Sequence, residues 1–160
     1  MWLLHGGQQT KDSYDAQSQQ KVDQHIAFLQ RLEDYYLDPV SNRLFLHAGF
    51  TNLRGVQHEY FAKMYYWDRT LWELARVVEQ AEAQELPQRL NNYHEIFIGH
   101  TPISKKEVVT PTRAANVWNI DTGAAFKGAV SVLDVQSKEF WQSDPVEQHY
   151  PGEPGRNLAP

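Results

Sequence analysis

The chain has 160 residues, one domain's worth, with 41% hydrophobic and 22% charged residues and a net charge of −5. No basic stripe stands against that acidic balance, which argues against a nucleic-acid partner, and no apolar run approaches the roughly 20 residues a membrane helix needs. Cysteine is absent, so disulfides, thiolate nucleophiles and Cys-ligated zinc are excluded, and any metal must be held by His, Asp, Glu or Asn.

The opening MWLLHGG has no basic stretch ahead of its short apolar run and does not read as a signal peptide, so a cytoplasmic protein is expected. Nothing before Gln20 reads as a strand. From Lys21 to Leu37, the residues Val22, Ile26, Leu29, Leu32 and Tyr36 recur at helical spacing and predict an amphipathic helix that ends at the turn LDPVSN. A strand, RLFLHAGF (43–50), follows. A second helix is predicted from about Glu59 to Glu85, lined by Phe61, Met64, Tyr65, Leu71, Leu74, Ala75, Val78 and Ala81, with Pro87 just beyond it. Next comes the strand EIFIGHTPI (95–103). Strand, helix, strand is the order of a parallel crossover, and near-continuous apolar runs suit strands covered on both faces. After Pro102, VVTPT, ANVWNID, GAVSVLDV and EFWQSD read as an antiparallel meander. The end, PGEPGRNLAP, has too little apolar surface to order itself. The expected organisation is one domain over 1–143 and a flexible tail over 144–160.

Both central strands end on a histidine beside glycine: His47 in HAG and His100 in GH. Ligands of open parallel sheets bind outside the carboxyl ends of the strands, and imidazole is a common metal ligand when rigidly anchored. Two such ends on one edge would place two donors together. The plainer reading is a pair of polar residues at a protein surface, and spacing alone leaves both open.

Beyond this point the residues carry a resemblance. LFLHAGF, IFIGHTPI and VWNIDTGAAFKGAVSVLDVQSKEFW, in that order, resemble the second half of a calcineurin-like metallophosphoesterase of the bacterial serine/threonine protein phosphatase and diadenosine tetraphosphatase branch. WLLHGGQQTKDSY resembles the segment after that branch's Gly-Asn-His-Asp/Glu motif, and the likeness spans about residues 2–143. It implies an α/β fold, the C-terminal half of an αββα sandwich with parallel strands followed by the meander. It also implies that His47 and His100 are ligands of two divalent metal ions, manganese, iron or zinc, that promote attack of water on a phosphoester. Arg69, in YYWDRTLWELA, would face the substrate phosphate. The substrate would be a phosphoprotein or a small phosphoester.

The family's Asp-x-His, Gly-Asp-x-x-Asp and Gly-Asn-His motifs are not in these 160 residues, and the general acid is missing with them. Two imidazoles cannot hold two metals. The chain therefore reads as a phosphatase fragment, inactive by itself, with an open sheet edge that invites self-association. The alternative is a non-catalytic pseudophosphatase or α/β binding module. The remaining candidates are plainer: His5 in LLHGG is taken as loop, Asp121 in NIDTGA as a strand-capping turn residue, Asp68 and Arg69 as a surface pair near a helix middle, and His25, His58, His94 and His149 as solvated.

Overall fold

Apolar residues at Leu44, Ile96, Ile98 and Val117 all turn to one side of a sheet, and that side is where the core forms. In the computed structural model, which describes Leu3 and residues 7–152, the chain divides into two units, Met1–Glu33 and Asp34–Pro160.

The first unit holds α1 (Gly7–Asp12) and α2 (Gln19–Leu29). Ser18 caps α2 by accepting from the Lys21 N–H, and no residue of the helix is buried. The apolar spacing that predicts a helix is right as far as Leu29.

Past that point the prediction fails. Tyr35–Asp38 is a strand, β1, which turns through residues 39–42 into β2 (Arg43–Leu46) as an antiparallel hairpin, with Tyr35 opposite Leu46 and Asp38 opposite Arg43. The Asp38 carboxylate holds the turn by accepting from the Val40 N–H at 3.0 Å and from the Ser41 hydroxyl, while Asn42 takes φ 52°. Tyr35 faces inward against Tyr65, its ring 5.6 Å away, whereas Leu32 is exposed, so Tyr36 matches the helical spacing by coincidence.

The second predicted helix is also interrupted. Between Glu59 and Glu85 the chain forms α3 (Met64–Trp67) and α4 (Thr70–Gln80), separated by an extended Asp68 at φ −66° and ψ 137°. Asp68 starts α4 afresh, accepting from the Thr70 and Leu71 N–H groups at 3.1 Å each and from the Thr70 hydroxyl at 2.7 Å. The expected surface Asp68 is therefore a buried one. A short helix α5 (Gln88–Asn91) leads into β3 (Glu95–Ile98), all of whose residues are buried.

The rest of the chain adds β4 (Thr112–Ala114), β5 (Val117–Asn119), β6 (Ser131–Leu133), β7 (Phe140–Gln142) and α6 (Val146–His149). The fold is α/β, with one five-stranded sheet in the order β1-β2-β3-β5-β4 and a separate antiparallel β6-β7 pair. The parallel pairing of β2 with β3 is as predicted. The meander is not: β5 joins the main sheet as a third parallel strand beside β3, and among the described strands after Pro102 only β4-β5 and β6-β7 pair antiparallel. Because β1 covers β2 and β5 covers β3, the open edge expected beside the two histidine strands is closed, and the sheet's edges are β1 and β4.

Leu71, Trp72, Ala75 and Val78 of α4 pack on one face of this sheet with Phe50, Val56, Tyr65, Leu90 and Tyr93. On the other face the register sets Tyr36, Phe45, Phe97 and Trp118 in a row across four strands. Phe45 and Phe97 stack at 4.8 Å between centroids, and Lys138 lies over the Phe97 and Trp118 rings. Glu95, on that face, accepts from Arg43 at 2.8 Å, Lys138 at 2.8 Å and Trp118 Nε1 at 3.1 Å. In the stretch expected to be a tail, the Val146 N–H donates to the Gly128 carbonyl at 3.0 Å.

Candidate functional site

Because β2, β3 and β5 run parallel, their carboxyl ends share one edge, and His47, His100 and Asp121 all lie just past those ends. His47 Nε2 and His100 Nδ1 are 3.2 Å apart, with the rings at 62° to each other. The Trp67 ring stands edge-on to His100 at 5.6 Å. The two histidines come together as the strand ends predicted.

Backbone hydrogen bonds fix both imidazoles. The His47 carbonyl accepts the Gly99 N–H at 2.9 Å, which ties the end of β2 to the end of β3. A Cβ on Gly99 would lie 3.6 Å from that carbonyl and 3.8 Å from Asp121 Cβ, ordinary contact distances. His100 itself takes φ 65°, and Thr101 N–H donates to the Gly99 carbonyl across it at 2.7 Å. That closes a three-residue turn of the rare, strained hand, a conformation found where a side chain must be aimed. Asn119, fully buried, anchors the third strand end: its Nδ2 donates to the Thr101 carbonyl at 2.8 Å, and its Oδ1 accepts the Asp121 N–H at 2.9 Å.

Partial desolvation lowers the pKa of His47, opposed by the Asp121 carboxylate, which raises it. The net effect favours the neutral ring, the form that donates a lone pair to a metal. Asp121 also forms the expected turn, its Oδ1 accepting from Gly123 N–H at 3.1 Å with Gly123 at φ 80°. Its field on His47 is a contribution that the NIDTGA pattern alone does not reveal.

Arg69 sits exposed in the break before α4, two residues beyond Trp67; its carbonyl accepts the Glu73 N–H at 3.2 Å, and its guanidinium makes no hydrogen bond or ion pair among the described residues. His25, His58, His94 and His149 are exposed, and the His25 Nδ1 is 2.6 Å from the Tyr14 hydroxyl. His5 lies outside the described residues. Among the described residues, no group of three or more His, Asp or Glu side chains converges as a metal cage, and no helix is long and apolar enough to cross a membrane.

No family model matches the chain, and no curated protein matches its sequence.

Proposed function

We propose that this chain supplies one wall of a metal-dependent phosphoesterase site of the calcineurin-like type, with His47 and His100 as two of its metal ligands. The observation that carries the reading is the pair of imidazoles, 3.2 Å apart, at the ends of adjacent parallel strands. Two imidazoles on rigid strand ends suit a borderline divalent cation such as manganese, iron or zinc, which is the chemistry the resemblance calls for. When bound, two such ions supply Lewis acidity at a phosphoryl group and lower the pKa of a nearby water.

The protein's own contribution is orientation. The Gly99–His47 backbone bond sets the distance between the strand ends, the turn at His100 aims the second ring, and Asp121 adds negative potential on the same edge. Arg69, close in sequence to Trp67, is assigned to the substrate phosphate of a phosphoprotein or small phosphoester, where a guanidinium binds two oxygens at once. With two imidazoles and no third convergent ligand among the described residues, the remaining donors and the general acid are assigned to motifs outside these 160 residues.

Titration of the chain with zinc, followed on the histidine ring protons by NMR, tests the assignment. The His47 and His100 resonances should shift together, and His47→Ala or His100→Ala should weaken binding at least tenfold. In the same preparation p-nitrophenyl phosphate with manganese should not be turned over. Zinc binding unchanged in both alanine variants would sink the metal reading, and turnover lost in His47→Ala would show a complete site in this chain.

A further inference from the structure

Asp68 and Arg89 form a buried ion pair, Arg89 Nη2 to Asp68 Oδ2 at 2.6 Å, with side chains 2% and 9% exposed respectively. The pair joins three pieces of chain: the break before α4, helix α5 ahead of β3, and the loop that leaves β2 at His47. Its contacts with that loop are specific. A Cβ on Gly49 would overlap the Asp68 carboxylate, so the carboxylate lies directly against the backbone two residues from His47. The Arg89 guanidinium lies over the Phe50 ring, 5.4 Å from its centroid, and Phe50 is fully buried. Between them, the Ala48 N–H donates to the Tyr65 carbonyl of α3 at 2.8 Å. Each residue of HAGF after the histidine is thus held by α3, by Asp68 or by Arg89.

We propose that the Asp68–Arg89 pair is a positioning device that holds His47 against His100, a role that rests on reading His47 as a ligand. A buried ion pair is weak evidence for stability, because desolvation offsets most of its attraction. This one is poorly optimised for stability: Arg89 Nε is buried without a hydrogen-bond partner, and burial lowers the guanidinium's pKa, opposed by Asp68. What the pair does supply is a fixed distance. Thr70 Oγ1 accepts from Arg89 Nη1 at 2.9 Å and donates to Asp68 Oδ1 at 2.7 Å, which locks the relative orientation of the two charged groups. Arg89 then carries that orientation to the segment before β3, the strand whose end bears His100.

The test is the nuclear Overhauser effect between the His47 and His100 rings in the metal-free 160-residue chain, so it stands whether or not the chain binds metal. Asp68→Asn combined with Arg89→Met removes both charges and leaves neither buried alone. The variant should keep the amide shifts of β2, β3 and β5, lose at least half of the ring-to-ring effect, and bind zinc at least tenfold more weakly if the wild type binds it. An unchanged ring contact in the folded variant would overturn the proposal. A pure capping role would instead show as faster amide exchange at Thr70 and Leu71 with the histidine pair intact, and that also overturns it. Should the double variant not fold, the exposed Thr70→Val decides: it removes the hydroxyl between the pair, and the ring contact should weaken. If it stays at the wild-type level, the pair positions nothing.

Discussion

Helices α2 and α4 are each eleven residues long, each is announced by an apolar stripe, and they end in opposite situations. No residue of α2 is buried, and Ile26, Phe28 and Leu29 are exposed; α4 buries Leu71, Trp72, Ala75 and Val78. The α4 stripe is the more strongly amphipathic of the two, and the surroundings of the helices differ further. Helix α4 lies against the five-stranded sheet, in contact with β4 and β5, while α2 belongs to a unit with no strand among its described residues. Periodicity reports that a helix can be amphipathic, and burial depends on what the rest of the chain brings to it.

The most direct way to break that comparison is truncation on the two stripes. Leu71 is completely buried, so Leu71→Ala should lower the unfolding free energy by about 3 kcal/mol, combining lost transfer energy with a residual cavity. Ile26 is 47% exposed, and Ile26→Ala should cost less than about 1 kcal/mol. Urea denaturation followed by fluorescence and far-ultraviolet dichroism measures both. Equal losses would mean that the α2 stripe is covered in solution and that the contrast between the two helices is not real.

The second comparison sets the two faces of the sheet against each other. The α4 face is held mainly by apolar contacts, whereas the aromatic face is organised around the Glu95 carboxylate. Burial by itself would raise the pKa of Glu95, but hydrogen bonds from Lys138, Arg43 and Trp118 outweigh it and bring the carboxyl down to about 2. A folded pKa below the usual 4.5 means that the unfolded chain binds the proton more readily. The stabilisation is therefore complete above pH 4.5 and fades as the pH falls towards 2. Arg43 and Lys138 are partly in water, so its size is about 2 kcal/mol rather than the full value of the shift. Glu95→Gln should flatten the acid limb of a stability-against-pH curve between about pH 5 and 3. A wild-type curve already flat there would remove the carboxylate from any organising role on this face.

Those faces and helices also show where sequence reading stops. The strand ends at His47 and His100 are legible because β3 carries an apolar run, Ile96 to Ile98, and because a glycine stands beside His100 and another two residues after His47. The third parallel strand is not. Val117–Asn119 is three residues long, and its place beside β3 depends on long-range pairing that short-range alternation does not encode. Strand β1 is hidden because Tyr36 falls at a helical spacing by chance. Asp68 reads as a surface residue when WDRT is taken as helix interior, yet an aspartate followed two residues later by threonine at the start of an apolar stripe is itself a helix-start signal. Arg89 carries no local signal at all, since its partner is 21 residues away in sequence.

The smallest expected effect separates the two histidines. They share one edge, but His47 ends a regular strand while His100 takes φ 65°, a conformation that costs an ordinary side chain about 1 kcal/mol and that asparagine tolerates well. His100→Asn should therefore leave stability within about 0.5 kcal/mol of the wild type, because its backbone cost stays low and the His100 ring meets Trp67 and His47 near the surface, where its removal matters little. His100→Val should cost about 1–2 kcal/mol more than His100→Asn, since a β-branched residue is poorly accommodated at positive φ. The same two substitutions at His47 should differ by less than about 0.5 kcal/mol, because that position follows a strand and is not among the positive-φ residues. Thermal unfolding of the four variants in the absence of metal measures the two differences. Equal penalties at both positions would show that the left-handed turn at His100 carries no strain, and the aiming of its ring would then have to come from the Trp67 and His47 rings alone.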